Sequence, residues 1–549
     1  MNSRPMLQSV SLIRSILLLM IFNSRTRTKM SPNKRIFLNI VATYGRSLFA
    51  LVCGLFSARW VLEALGQEDF GLYGVVGGLV AFISIVNALL GCAVGRFYAV
   101  SVGAAHVAED KDAALRECRA WFSTAILIHT VVPLILMLIG EPLGEYAIRT
   151  GGIVVPPARL TECLWVFRFA CLASFVSMVG VPFQAMYTAK QSIAELTIYG
   201  FATSLLNLGF FYYMVTHPGV WLAKYGAWMA AMLILPAVII AVRAHFVFPE
   251  CRLVVHEMWN LSRVRQLAAF AGWQAFGGLG CIARGQGIAI LLNRHAEFGP
   301  ARNSSMTIAN QVASQTETLA GAMVGAFQPA IANAYGAKDY VQMRSLAFRA
   351  CKFGTLLSAI FVLPLALELP TVLNLWLKEP PAYATGLCWS ILAMHLIDRT
   401  AVGHMLAVAA TGKIALYQAF LGGSLILTLP VAWLFVHLKW GIYATGWAMI
   451  LTMMLCAWGR VWFARTIAGM SARLWLRNIL LPLALLFAVT FCVGWLLRLV
   501  LLPSLSRVGM TTLVCELTLL GFSWIFLLDA SEREVVRRKL VRMKERVWE

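Results

Sequence analysis

The sequence predicts an all-α polytopic membrane protein: about fourteen transmembrane helices, forming two related six-helix lobes followed by two further helices. Three observations predict it. Of 549 residues, 60% are hydrophobic and only 13% charged, beyond the apolar content of soluble domains, which is near half. Apolar stretches of about twenty residues recur along nearly the whole length, each long enough to cross a bilayer as a helix. These stretches are too long for barrel strands and lack an alternation of apolar and polar residues.

The segments 1–35 form an N-terminal extension. Val10–Phe22 is apolar but short and interrupted by Arg14, and no small-residue cleavage site follows it at Asn23-Ser24-Arg25. Met30 opens a second plausible start, so 1–29 reads either as an upstream extension of the reading frame or as an interfacial amphipathic helix. The spans then fall near 37–61, 71–99, 120–140, 162–188, 194–215 and 221–242, which make an N-lobe of 36–243. A linker covers 244–265. Spans near 266–292, 301–330, 348–370, 383–410, 415–437 and 441–463 make a C-lobe of 266–470, and the seventh and eighth are the most polar of the set. Two more spans, near 475–498 and 509–529, occupy 475–530, and 531–549 is a basic tail.

Charge sets the orientation. With the N-terminus inside, roughly 30 Lys and Arg fall in cytosolic segments and about 9 in outside loops, as the positive-inside rule requires for an even number of spans. Arg25, Arg27, Lys29, Lys34 and Arg35 lie on the inner side, as do Arg243, Arg252, Arg263 and Arg265, and then Arg533, Arg537, Arg538, Lys539, Arg542 and Lys544. The first outside loop holds Glu63, Glu68 and Asp69 and no base. The formal net charge of +21 therefore reads as topology together with attraction to anionic membrane lipids. A nucleic-acid partner is excluded because no basic soluble domain exists to hold the polymer.

Every loop is about twenty residues or less, which leaves no room for a catalytic domain of at least about 50 residues. The chain is therefore not expected to be an enzyme. Asp110-Lys111-Asp112 matches a D-x-D pattern but sits in a short loop without a nucleotide-binding fold. The runs Gly74–Gly78 and Gly277–Gly280 follow no strand and read as close-packing or hinge surfaces rather than phosphate loops. The twelve cysteines are dispersed without C-x-x-C spacing, which favours buried free thiols. No cofactor or metal is implied.

The two lobes are related by a repeat. Ala88–Phe97, ALLGCAVGRF, aligns with Thr318–Phe327, TLAGAMVGAF, through Leu89/Leu319, Gly91/Gly321, Val94/Val324, Gly95/Gly325 and Phe97/Phe327. Asp69-Phe70-Gly71 is echoed upstream of the second copy by Glu297-Phe298-Gly299. The offset encloses six spans, so both copies keep one orientation, as in parallel repeats whose substrate sites lie near the midplane at the repeat interface.

Leu62–Gly103 carries an outer loop of the pattern L-G-x-x-D-F/Y-G and then a Gly-rich second span ending in Arg96-Phe97. With Leu291-Leu292-Asn293, Phe298-Gly299, Asn310-Gln311-Val312 and Phe327-Gln328-Pro329, this resembles the bacterial polysaccharide-export flippases of the O-antigen type. Those belong to the multidrug/oligosaccharidyl-lipid/polysaccharide (MOP) superfamily, and the resemblance covers about 35–470. It implies a MATE-like V of two lobes around a cavity lined mainly by spans 1, 2, 7 and 8. It further implies alternating access that carries a lipid-linked oligosaccharide, such as an O-antigen or exopolysaccharide repeat unit, across the bacterial inner membrane. Both termini would be cytoplasmic, with membrane lipids, a polysaccharide polymerase and glycosyltransferases as partners.

Ionisable groups inside lipid cost at least about 2.5 kcal/mol at the centre, so each is a functional candidate. The in-span arginines are Arg46, Arg59, Arg96, Arg168, Arg284, Arg399 and Arg460. Arg59, Arg96 and Arg460 lie near span ends, where snorkelling to headgroups is the favoured reading, and Arg96 is also counted among substrate-binding candidates. Arg46, Arg284 and Arg399 lie deeper and are expected to line a wet cavity. The role of Arg168 is left open by the sequence, with Glu162 of its own span one candidate partner. Guanidinium suits a diphosphate cargo because it stays protonated and grips phosphate oxygens bidentately. A drug-cation exporter needs carboxylates instead, and those expected in spans are few: Glu195, Glu317, Asp398 and Glu516. In the eighth span Asn310, Gln311, Ser314, Gln315 and Glu317 cover about half the helix. Lipid cannot satisfy that polarity, so the stripe serves either sugar hydroxyls, which suit amides, or contacts between helices. In the tenth span His395 and Arg399 are spaced i,i+4 with Asp398 beside them. His395, Asp398 and Glu317 are thus candidates for proton coupling, against the alternative of a static neutralising pair.

Overall fold

The computed structural model describes residues 81–530 apart from 151–154, 295–298 and 378–379, then 532–534 and 537, and scattered positions from 39 to 76. Within the helices no side chain is described at 81, 82, 84, 85, 286, 289, 290, 293–304, 307, 315, 317–320, 322 and 323. Among the described residues every regular element is helical, as expected. Among the described residues ten helices are long and apolar enough to cross a membrane, or eleven if one bent pair is a single span. This is the architecture of a multi-pass membrane protein. The expected count of fourteen is not established. Much of 37–61 lies outside the described residues, and the seventh and eighth spans correspond to helices of 34 and 38 residues that are less apolar than the rest.

The chain divides into two compact units, Met1–Gly272 with Gly325–Asp339, and Trp273–Val324 with Tyr340–Glu549. The first contains α1 (Ala81–Val107), α2 (Lys111–Arg149), α3 (Leu160–Ala189), α4 (Ile193–Thr216) and α5 (Leu222–Val247), with the start of α6 (Leu261–Arg294) and the end of α7 (Gly299–Gly336). Its central helix is α3, which packs on α5, α2 and α1. Leu164, Phe167 and Cys171 of α3 share a core with Leu72, Val76, Ile148 and Leu222. Asp110 begins α2. Its carboxylate accepts from the amides of Asp112 and Ala113, both at 2.9 Å, and the Ala113 amide first, then that of Asp112, holds its pKa below the usual carboxylate range. The D-x-D sequence is thus a helix N-cap. At the far end of α7, Gly336 lies so close to the Val100 carbonyl, and Gly103 to that of Asn333, that a Cβ would overlap either oxygen. Asn333 Nδ2 also donates to the Ala189 carbonyl at 2.9 Å.

The segment between α5 and α6 is strapped along α2. Arg119 Nε donates to the Pro249 carbonyl at 3.0 Å, the Val254 amide to Ser123 Oγ at 2.9 Å, and Thr124 Oγ1 to the Glu257 carbonyl at 3.2 Å. Arg263 closes the strap with Glu257 at 2.6 Å and Glu117 at 3.2 Å. The Arg263 guanidinium holds the Glu257 carboxyl below its usual pKa.

The second unit holds the rest of α6 and α7, then α8 (Tyr340–Leu377), α9 (Ala384–Thr400), α10 (Val402–Thr411), α11 (Ala415–His437), α12 (Tyr443–Ala468), α13 (Ala472–Val500) and α14 (Leu505–Leu527). Here α8 is central, packing on α9, α10, α13 and α14. Its Cys351, Ala359 and Leu363 share a core with Ile479, Leu483, Leu486, Leu519 and Leu527. Ser471 and Ser504 cap α13 and α14. Gly412 and Gly469, at φ 78° and 67°, end α10 and α12 in the left-handed region that favours glycine. Gly277 and Gly280 pack against Gln418 and Gly422 of α11, the close-packing role expected of that run. Most of Gly74–Gly78 lies outside the described residues.

Candidate functional site

A charged interior of the second unit surrounds a broken helix. Between α9 and α10 the axis bends by 48°, which frees backbone groups that lipid cannot satisfy. Side chains complete them. Arg460 Nη1 donates to the Asp398 carbonyl at 3.1 Å, Trp475 Nε1 to that of Thr400 at 2.9 Å, and the Gly403 amide to Cys351 Sγ at 3.2 Å. Arg460 Nη2 meets the Asp398 carboxylate at 2.7 Å, and Arg399 Nε lies 3.8 Å from its other oxygen. Arg460 and Arg399 are 6% and 7% exposed. Arg460 therefore does not snorkel. It is buried because the break in the neighbouring span offers it a carboxylate and a carbonyl together. Arg399 is likewise buried beside Asp398, and His395 is half-buried on the same helix.

Unlike both, Arg284 has no described carboxylate beside it. It is half-buried on α6, and its Nη1, like Nε of Arg460, is buried without a hydrogen-bond partner. Its charge and that of Arg460 both bear on the thiol of Cys456, one turn before Arg460 on α12. About three turns earlier on α6, Gln274 accepts a hydrogen bond from Gln418 of α11. On α7, Asn310, Gln311 and Ser314 are exposed, whereas Ser305, Met306, Ala309, Ala313 and Thr316 are buried. The amide stripe thus lies on the open face of its helix. The side chains of Gln315 and Glu317 lie outside the described residues.

In the first unit, Arg46 is exposed and its stem lies across Gly200 of α4, close enough that a Cβ there would collide with it. Arg96 lies over the rings of Phe97 and Phe270, at 4.7 and 5.2 Å from their centroids. Arg59 falls outside the described residues. Arg168 pairs with Glu145 of α2 at 2.6 Å rather than with Glu162, which instead takes Arg159 at 3.0 Å. Arg159 also holds Asp69 of the outer-loop motif at 3.0 Å, so this motif residue ties the first loop to the start of α3.

The expected short set of in-span carboxylates omits Glu368, the most deeply buried acid here. It lies 1% exposed in α8, and Arg507 of α14 reaches it at 2.8 Å. Thr511 donates to its other oxygen at 3.0 Å, and Thr371 accepts from Arg507 at 2.9 Å. The signal was present in the sequence, since Glu368 lies within the expected span 348–370. Glu195 is also paired, with Arg243. Glu516 is half-buried near the middle of α14.

No protein-family profile matches this sequence, and no curated protein does. Solved structures do match in fold. A MATE transporter in complex with MaD3S superposes with a TM-score of 0.64 at 14% identity, over 80% of this chain and 97% of that one. An outward-facing multidrug resistance MATE family transporter of the MOP superfamily gives 0.62 at 15% identity, with the same coverage. A MOP superfamily transporter from Pyrococcus furiosus, described by the reverse polarity of its binding pocket, gives 0.63 at 13%, again over 80% and 97%. At such identities the likeness establishes the fold, which is that of MATE-type transporters.

Proposed function

We propose that this protein is a transporter that flips a polyprenyl-diphosphate-linked oligosaccharide, an O-antigen or exopolysaccharide repeat unit, across the bacterial inner membrane by alternating access. Both termini face the cytoplasm in this reading, and a polysaccharide polymerase and glycosyltransferases are its partners. The observation that carries it is Arg284. Within the second unit, Arg460 and Arg399 have Asp398 beside them, and Arg507 has Glu368. Arg284 has no described acid beside it, and it too keeps a buried donor unmatched, as Arg460 does at Nε. A buried donor left unsatisfied is costly, and a diphosphate oxygen is a fitting complement because guanidinium binds phosphate in a planar fork. The open amide face of Asn310 and Gln311 supports sugar recognition, since amides both donate and accept.

In a strain that depends on this protein for surface glycan, Arg284→Ala at normal expression is expected to abolish export. Arg284→Lys is expected to leave it impaired, because an ammonium keeps the charge but not the fork. Full export by the Ala variant sinks the assignment. A second reading, a MATE-like cation-coupled exporter of drugs or metabolites, is supported by the multidrug MATE transporters among the structural neighbours. Deletion of the gene separates the two. Lost glycan supports the flippase, whereas sensitivity to cationic compounds with intact glycan supports the exporter. An integral-membrane glycan polymerase or ligase ranks last, because the longest expected outside loop, 141–161, is short and its only charged residues are Glu141, Glu145, Arg149 and Arg159.

A further inference from the structure

We propose that the strap between α5 and α6 lies in the boundary layer of the bilayer, with Leu253, Val255, Trp259 and Leu261 set among lipid chains. The linker is then an in-plane membrane anchor and not a free tether. Its level follows from what holds it. Ser123 accepts from the Val254 amide and Thr124 donates to the Glu257 carbonyl. Both lie inside the expected span 120–140, about 5 Å past its edge. The strap therefore runs beside the first turn of a membrane-crossing stretch, while α2 continues outward from there to Lys111. At that depth backbone groups outside a helix need protein partners, and the strap has them. The Pro249 carbonyl takes Arg119. The carbonyls of Phe248 and Val254 take the amides of Cys251 and Glu257, both at 3.0 Å, and Asn260 Oδ1 takes the Arg263 amide at 3.1 Å.

The side chains left exposed are largely apolar. Val255 is 78% exposed, Trp259 77%, Leu261 74% and Leu253 53%. Val255 and Trp259 are spaced i,i+4 across the short helical turn Val255–Met258, and Glu257 and Met258 between them are half-buried. A patch of this kind marks a contact with protein or with membrane. Two features favour lipid. One is the depth. The other is continuity, since Leu235, Val238, Val242 and Phe246 form an exposed apolar stripe that runs down α5 to the start of the strap. An indole at the ends of spans also suits the membrane interface. Arg252 and Arg265 are exposed beside the patch, and their stems are long enough to keep the guanidinium groups among headgroups. The contact itself is apolar, so it requires no anionic lipid, and it holds for either cargo.

The test places photoreactive benzoylphenylalanine at Val255 or at Trp259 of the full-length protein in phosphatidylcholine nanodiscs. Ile135, exposed within the span of α2, and Asp112, exposed near the start of that helix, set the yields for a lipid-facing and a water-facing position. After illumination the peptides are weighed. The two strap positions are expected to gain the mass of one phosphatidylcholine in a yield near that at Ile135, and high salt, which screens charge attraction, is expected to leave it unchanged. Asp112 is expected to gain almost none. Val255→Asp with Leu261→Asp is expected to cut the yield at Trp259 several-fold, because the strap then loses its apolar drive into lipid. The unfolding midpoint is expected to stay near native, since both side chains are exposed. Strap yields no higher than at Asp112 overturn the proposal, as does a yield that high salt erases or that the two Asp substitutions leave unchanged. Illumination in living cells separates lipid from protein: adducts with a second polypeptide in place of lipid overturn it as well.

Discussion

At the scale of single residues, the buried ion pair of Glu368 and Arg507 decides more than any other. Removing one partner of a buried pair strands the other, which costs roughly 3–5 kcal/mol, whereas replacing both with apolar groups is often neutral. Arg507→Met is therefore expected to lower thermal stability in detergent sharply, and Glu368→Leu with Arg507→Met to recover most of the loss, as read by the unfolding midpoint. If the double variant unfolds as early as the single one, the pair is not acting as a unit. A second prediction concerns pH. Arg263 depresses the pKa of Glu257, so the folded protein binds that proton less readily than the unfolded chain. The stabilisation is present above the ordinary glutamate value and is lost as pH falls through the depressed one. The acid-side decline of the unfolding midpoint is expected to be shallower in Glu257→Gln than in the native protein. Parallel curves would remove Glu257 from the account. Partners of this kind were largely hidden from sequence reading. Within its own span Arg168 has Glu162 as a candidate partner, yet Glu145 of another helix reaches it at 2.6 Å. Spacing along one helix reports neighbours on that helix only, and the decisive contacts here join different helices.

At the scale of helices the sequence is far more legible. The expected spans 162–188, 194–215 and 221–242 correspond to Leu160–Ala189, Ile193–Thr216 and Leu222–Val247, because the length of an apolar run is set by the bilayer and not by tertiary context. Ends are less legible, since polar caps lie beyond the apolar run. α2 extends well past the expected 120–140, from its cap at Asp110 to Arg149. The start of α14 depends on Ser504, whose hydroxyl accepts from the Arg507 amide at 3.1 Å. Ser504→Ala is expected to cost about 1 kcal/mol and Ser504→Gly only a few tenths. Equal losses in thermal unfolding would argue against the cap. The break between α9 and α10 leaves no mark in the single expected span 383–410. Ala401 is neither Gly nor Pro, and the acceptors that make the bend tolerable are met by Arg460 and Trp475, which lie 62 and 75 residues away.

At the scale of the whole molecule, composition announced a membrane protein, and each unit's helices keep their charges mainly by pairing them internally. That pairing has a consequence for biosynthesis. Glu368 and Arg507 are separated by 139 residues, which take on the order of 10 s to translate at typical rates. The carboxyl leaves the ribosome long before its guanidinium exists. During that interval the acid of α8 has no native charged partner, and the pair closes only once α14 has been made.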